Sequence, residues 1–380
     1  MLNSKTEALG IIFPNSYDAM VPELASERLM ASIPFASRYR MCDFILSSMV
    51  HSGIDNISII VRKNYHSLLD HLGAGREWDL VRKNGGLNIV PPFAQKQVKV
   101  FEGRIEALES LRGYLLKQPQ KYVIMTDANI AINFDFNELL DAHIKSGADV
   151  TMMYRKQEIP KAFIRQSRDR MDLYYALGMN GDRVSKIYIN PTEEGEMNFS
   201  MNIYVVEREF LINMIDDAYV HGHTYFVRDL LDKQIDRLDI RGFCYDGYVV
   251  NIHDTQSYFE ENMRLLQEEN LNALFSPNQI YTKIRDDNPT RYVTGSKVVD
   301  SILADGCVIE GTVENCVLFR GVKVKKGAVV KNCVLMQDTV VEPNVELDCV
   351  VTDKNVKITA GKKLSGTESF PVYVQKNHTV

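Results

Sequence analysis

Ala8-Leu9-Gly10-Ile11-Ile12-Phe13 and Ile54-Asp55-Asn56-Ile57-Ser58-Ile59-Ile60-Val61 bracket the stretch that decides the fold. Both are short apolar runs of the kind expected for strands buried on two faces. Between them, Asp43 to Val50 carries apolar residues at helical spacing (Phe44, Ile45, Leu46, Met49, Val50) and stops at Gly53. Two buried strands joined through a helix predict a right-handed βαβ unit and a parallel sheet. Ligands of such sheets sit at the carboxyl ends of the strands. The loop after Phe13 is therefore the place to look for a phosphate site, and it reads Pro14-Asn15-Ser16-Tyr17-Asp18-Ala19-Met20, with no Gly, Lys or Arg.

Working outward, Tyr65 to Leu72, Glu106 to Leu116, Phe136 to Ser146 and Ser257 to Leu274 read as helices. Asn88 to Pro92, Tyr122 to Asp127, Ala148 to Tyr154, Val184 to Ile189 and Ser200 to Val206 read as strands. The alternation predicts an α/β domain over residues 1–274, with a Pro-containing connector over 275–295. From about Ser296 the helical period is lost. Residues 316, 322, 328, 334 and 340 are Cys, Val, Ala, Val and Val, a step of six. That period predicts a β-helix over 296–380, each coil burying its inward column on the next, with a slip at Pro343 to Asp348. An open β-helix end needs covering, which predicts a partner subunit.

The 380 residues are 45% hydrophobic and 25% charged, ordinary for globular protein. A formal charge of −6 leaves no footprint for nucleic acid. With no signal pattern and no long apolar run, the expected setting is cytoplasmic and away from membranes. The six cysteines (Cys42, Cys244, Cys307, Cys316, Cys333, Cys349) form no C-x-x-C and read as buried free thiols. His221-Gly222-His223 reads as a solvated turn. Lys323, Lys325, Lys326 and Lys331 read as a solvated basic face that could also bind an anion or an acidic partner patch.

The block Pro34-Phe35-Ala36-Ser37-Arg38-Tyr39-Arg40-Met41-Cys42-Asp43-Phe44-Ile45-Leu46-Ser47-Ser48, with Ser52-Gly53-Ile54 and the β-helix tail, resembles the ADP-glucose pyrophosphorylase (glucose-1-phosphate adenylyltransferase) family across the whole chain. Within it the chain is most similar to the GlgD-type subunits that stand beside a catalytic partner. The resemblance implies a nucleotidyltransferase-like, Rossmann-like mixed-sheet domain followed by a left-handed β-helix of hexapeptide repeats. It implies adenylyl transfer from ATP to glucose 1-phosphate, with a Gly- and Arg-rich loop, a lysine and magnesium on two aspartates neutralising the triphosphate.

Matched position by position, several of these parts are altered. Pro14 to Met20 replaces the phosphate loop; Pro14 has no N–H to give and Asp18 adds a like charge. One metal aspartate matches Asp127, but the other matches Asn251, a neutral and poorer ligand, with His253 and Asp254 nearby. Ser200, Tyr204 and Phe226 match sugar-phosphate contacts, while Asn190 stands where the family has a phosphate-binding lysine. Arg104 stands where a small hydroxyl residue belongs; it would fill the vacant nucleotide site by pairing with Asp127, bind an anion, or simply be solvated.

Losing one preorganised donor costs about 3–4 kcal/mol, roughly 10²–10³ in rate. The expectation is a nearly inactive chain that needs no cofactor of its own and works with a magnesium-dependent catalytic glucose-1-phosphate adenylyltransferase subunit in glycogen synthesis. A hetero-tetramer is the expected assembly, with a homo-oligomer open to the chain alone. A working transferase with a rebuilt site and a free-standing sugar-phosphate sensor are the alternatives.

Overall fold

The computed structural model describes residues 7–91, 103–166, 173–193 and 195–380; the expected strand end at Pro92 lies outside them. The chain divides into two compact units. One comprises Met1–Ala19, Ile45–Ile130 and Phe134–Gly247; the other comprises Met20–Phe44, Ala131–Asn133 and Tyr248–Val380.

The first unit is built on a nine-stranded sheet. In chain order its strands are β1 (Ala8–Phe13), β2 (Asn56–Ile60), β3 (Gly86–Val90), β4 (Tyr122–Asp127) and β5 (Val150–Glu158). They continue with β6 (Tyr175–Asn180), β7 (Arg183–Ile189), β8 (Glu196–Glu207) and β9 (Ile240–Cys244). The spatial order is β3-β2-β1-β4-β8-β5-β9-β7-β6. β3, β2, β1 and β4 run parallel, as the alternating strand and helix signals predict. β8 then enters antiparallel to both β4 and β5, so the sheet is mixed. The helix α1 (Met41–His51) leads from β1 towards β2. Its Met49 lies so close to β1 that a Cβ on Gly10 would meet the sulfur at 2.7 Å, which explains a glycine in a buried strand.

A short α2 (His66–Leu72) follows β2. Next come α3 (Arg104–Leu115), α4 (Phe136–Ser146), α5 (Lys161–Gln166) and α6 (Arg208–Val220). α3 and α6 share a core with one sheet face through Ile105, Leu108, Leu111, Leu211 and Ile215. α4 packs on β5, β8 and β9. Asp135 caps α4 by accepting from the Asn137 N–H, and Gly147 ends it in a left-handed conformation. α3 begins two residues earlier than the apolar spacing suggests, which puts Arg104 in its first turn.

In the second unit, residues 291–374 form three parallel five-stranded sheets, a left-handed β-helix whose first strand, Arg291–Tyr292, falls within the expected connector. The inward column is apolar: Ile309, Val324, Val341 and Ile358 stack on one side, Val313, Val330 and Leu347 on another. One coil advances 15 residues from Ile309 to Val324, and the next advances 17 from Val324 to Val341. The step of six therefore holds from Cys316 through Val322 to Ala328 and then shortens to five. Val317 N–H donates to Cys333 O and Lys323 N–H to Thr339 O, so Cys333 and Thr339, not Val334 and Val340, lie over Cys316 and Val322. The same shortening recurs from Val345 to Val350, so one slip precedes the Pro343 to Asp348 segment and a second falls where that segment was expected to carry it. Lys325 and Lys331 of the basic run pair with Glu310 and Glu314 one coil back, at 3.2 and 3.1 Å.

The Pro34 to Phe44 block lies in this same unit. Tyr39, Phe44 and Phe275 form an aromatic cluster with ring centroids 5.1–5.8 Å apart, and Tyr258 Oη donates to Pro34 O at 2.8 Å. Arg28 Nη2 donates to both carboxylate oxygens of Asp353, at 2.7 and 2.9 Å, in a pair that is almost wholly buried. The single helix expected over Ser257 to Leu274 is two, α7 (Thr255–Arg264) and α8 (Glu268–Phe275). Gln267 is extended, and Glu268 and Glu269 open α8, where negative charge suits the helix dipole.

Candidate functional site

The carboxyl ends of β1, β2 and β4 open on a cavity of about 380 Å³ lined by residues of the first unit alone. β4 delivers Asp127, whose residue is fully buried. β1 delivers Phe13, and α3 delivers Arg104 through Gly103. A Cβ on Gly103 would overlap Thr224 O at 2.3 Å, so only glycine lets the start of α3 approach that strand of chain.

Arg104 Nη2 donates to Asp127 Oδ1 at 2.5 Å, and Ser16 Oγ donates to the same oxygen at 2.7 Å. The guanidinium lies 4.5 Å from the Phe13 ring centroid and 5.7 Å from that of Tyr204. Burial opposes the charge on Arg104, but Asp127 and the neighbouring tyrosines outweigh it, and its pKa lies above the ordinary arginine value. Asp127 Oδ2 is buried with no hydrogen-bond partner. Burial, seconded by Asp127, pushes the Tyr17 phenol well up, and burial does the same to Tyr175 and Tyr204. All three are neutral donors at pH 7.

The Pro14 to Met20 segment folds inward. Pro14 is buried and does not line the cavity; Asp18 does. Asn15 Nδ2 donates to Asp18 Oδ2 at 2.7 Å and to Lys63 O at 3.4 Å, and its Oδ1 accepts from Arg62 N–H at 2.9 Å. Tyr17 Oη donates to Leu173 O at 3.0 Å. Asn202, at a bulge in β8 with φ 54°, donates to Tyr17 Oη and accepts from Tyr204 Oη, both at 2.7 Å. The opposite rim is pinned by Asp229, whose carboxylate accepts from the N–H groups of Thr224 and Tyr225 and from Arg228. Burial opposes that charge, but Arg228 and the two amides hold the Asp229 pKa below the usual carboxylate range.

The structure brings Asp18, Arg104, Asp127 and Phe226 to one cavity, with Tyr204 behind Arg104. Ser200 is buried one turn of the bulge away, accepting from the Asn202 N–H at 3.2 Å. Asn190 is not among the lining residues; its φ is 47°, and its Oδ1 accepts from the Tyr174 N–H, next to the Tyr175–Ile189 pair that ends the β6–β7 ladder. Asn251 belongs to the second unit, and Asp254 beside it is engaged as the N-cap of α7 in a reciprocal box with Ser257. Two cations that sequence reasoning passed over, Arg62 and Lys63, line the cavity. They follow β2 after Val61, so the rule that ligands sit at carboxyl strand ends could have found them. The positive charge missing from the loop after Phe13 is present after Val61 instead. The bulge at Asn202 has no comparable signal. Among the described residues no helix is long and apolar enough to cross a membrane.

With this geometry in place, comparison with known proteins is informative. A family model described as nucleotidyl transferase matches residues 23–268, and one described as the GlmU-like C-terminal hexapeptide matches 284–368. The chain is 32% identical over 374 residues to the glycogen biosynthesis protein GlgD of Bacillus subtilis (strain 168), covering 97% of this chain and 96% of that one. It is 36% identical over 324 residues to the GlgD of Geobacillus stearothermophilus, covering 85% and 82%. It is also 30% identical over 336 residues to a glucose-1-phosphate adenylyltransferase of Geobacillus stearothermophilus, covering 86% and 84%.

Proposed function

We propose that this chain, which belongs to the nucleotidyl transferase family that holds GlgD and glucose-1-phosphate adenylyltransferase, serves glycogen synthesis as a non-catalytic subunit of an ADP-glucose-forming complex. The supporting observation is the Arg104–Asp127 pair. Phosphoryl and adenylyl transfer need charge neutralised along a polyphosphate, ordinarily with a divalent ion held by carboxylates. Here one carboxylate oxygen already accepts from a guanidinium and a hydroxyl. A magnesium ion on the other Asp127 oxygen would sit beside a fixed cation that already neutralises this carboxylate, so the residues present do not fit the metal. The matching second position, Asn251, offers no charge.

A family member without turnover can still act by contact. Binding a catalytic subunit more tightly in its active arrangement than in its resting one shifts that subunit toward activity. A hetero-tetramer is the assembly this reading favours. The test is to purify the chain and its host's glucose-1-phosphate adenylyltransferase separately and assay ADP-glucose alone and after mixing. The expected result is a several-fold rise in the partner's kcat or fall in its KM, saturating at a fixed ratio of chains. A mixture whose rate equals that of the catalytic subunit alone contradicts the proposal.

A further inference from the structure

The chain holds two Asn-Gly pairs, Asn84-Gly85 and Asn180-Gly181, and both pairs are exposed. In such a pair the asparagine amide is open to attack by the next backbone nitrogen, because glycine has no side chain to shield it. The structure treats the two pairs differently. Asn180 ends β6 and is held opposite Arg183 of β7 across a tight turn. That turn is pinned where Gly242 N–H donates to Asp182 O at 2.8 Å and Arg241 Nη1 donates to Asp182 Oδ1 at 2.7 Å. Asn84 lies in a bend before β3. Among the described residues, neither its side chain nor the Gly85 N–H makes a hydrogen bond. The chain is fixed only on either side. Arg82 bridges Asp55 and Asp79, both at 3.0 Å, and Gly86 N–H donates to Asp55 O at 2.7 Å.

We propose that Asn84 is a site of spontaneous covalent conversion to aspartate and isoaspartate. The Gly85 nitrogen, giving its proton to hydroxide, bonds to Asn84 Cγ. Ammonia leaves with a proton taken from water, and a five-membered succinimide closes. Water then opens the ring at one carbonyl to give aspartate, or at the other to give isoaspartate. Either product places a carboxylate near the Arg82 bridge. Isoaspartate also adds one carbon to the backbone between Arg82 and Gly86, where β3 begins at the edge of the sheet. None of this depends on whether the chain turns over a substrate.

The test is peptide mapping by mass spectrometry of the full chain, kept folded in mildly alkaline and in mildly acidic buffer, and unfolded in urea. In the folded chain Asn84 is expected to convert at least about fivefold faster than Asn180, the factor that one net backbone hydrogen bond is worth. Isoaspartate is among the products, and the alkaline buffer quickens the reaction. In urea the two sites convert at similar rates, because local order no longer separates them. Asn84→Gln removes the signal at this position, since the longer side chain must close a less favourable ring, and leaves Asn180 unchanged. The proposal is overturned if Asn84 keeps its amide, if Asn180 converts as fast in the folded chain, or if the difference between the sites persists in urea. It is equally overturned if aspartate alone is formed or if alkaline buffer brings no acceleration.

Discussion

Asp127 and Arg104 depend on one another. The Asp127 side chain is 1% exposed and its main counter-charge is a single guanidinium. Removing one partner of a buried pair leaves an uncompensated charge, a loss of about 3–5 kcal/mol. Arg104→Ala is therefore expected to lower unfolding stability by about 3 kcal/mol in urea titration. Arg104→Ala combined with Asp127→Asn should recover most of that loss, because the orphan charge is gone. Equal destabilisation by the single and the double variant would show that packing against Phe13, and not charge, sets the cost. The pairing was one of three readings open in the sequence. Choosing among them required knowing that α3 starts at Arg104 and that Gly103 lets it come close.

At the scale of elements, the strands of the first unit were legible because their apolar runs are unbroken: all six residues of β1 and all six of β4 are buried. The break between α7 and α8 was not, because Leu265, Leu271 and Leu274 keep an apolar rhythm across it. The signals were the capping pair Asp254 and Ser257 and the acidic Glu268-Glu269. Asp254→Ala removes that cap and should cost about 1 kcal/mol, read as a lower midpoint in thermal or denaturant unfolding. The β-helix was legible as a period of six but not in its phase. A coil of 17 must shorten one of its three sides, and only the hydrogen-bond register shows which. Leu335 is fully buried inside the helix between Leu318 and the next coil. Leu335→Ala should cost about 2–5 kcal/mol, whereas Lys326→Ala on the exposed edge should be close to neutral.

For the whole molecule, acid should weaken the fold through His143. Its ring is buried beside Tyr122 and meets Thr151 Oγ1 at 2.9 Å. Burial lowers its pKa from 6.5 to about 4, with Asp149 opposing and Lys121 assisting. The unfolded chain then binds a proton that the folded chain refuses, so stability is whole above about pH 6.5 and falls as pH drops towards 4. The shift corresponds to about 3 kcal/mol. His143→Gln should remove that part of the difference between pH 7 and pH 4.5; an identical slope in the variant would assign the acid sensitivity elsewhere. Function at this scale was only half legible. The altered loop and Asn251 could be read from single positions, because a missing glycine or carboxylate is a local fact. The strand-end rule could have flagged Arg62 and Lys63, but not that they share a cavity with Arg104, which follows from the parallel pairing of β2, β1 and β4.

The central claim is that Asp127, already held by Arg104, does not support adenylyl transfer. Continuous measurement of pyrophosphate release by the isolated chain, supplied with ATP, glucose 1-phosphate and magnesium, tests it most directly. The expected result is a rate indistinguishable from the background without protein, unchanged by Asp127→Asn. Sustained multiple turnover by the wild-type chain, abolished by Asp127→Asn, would contradict it.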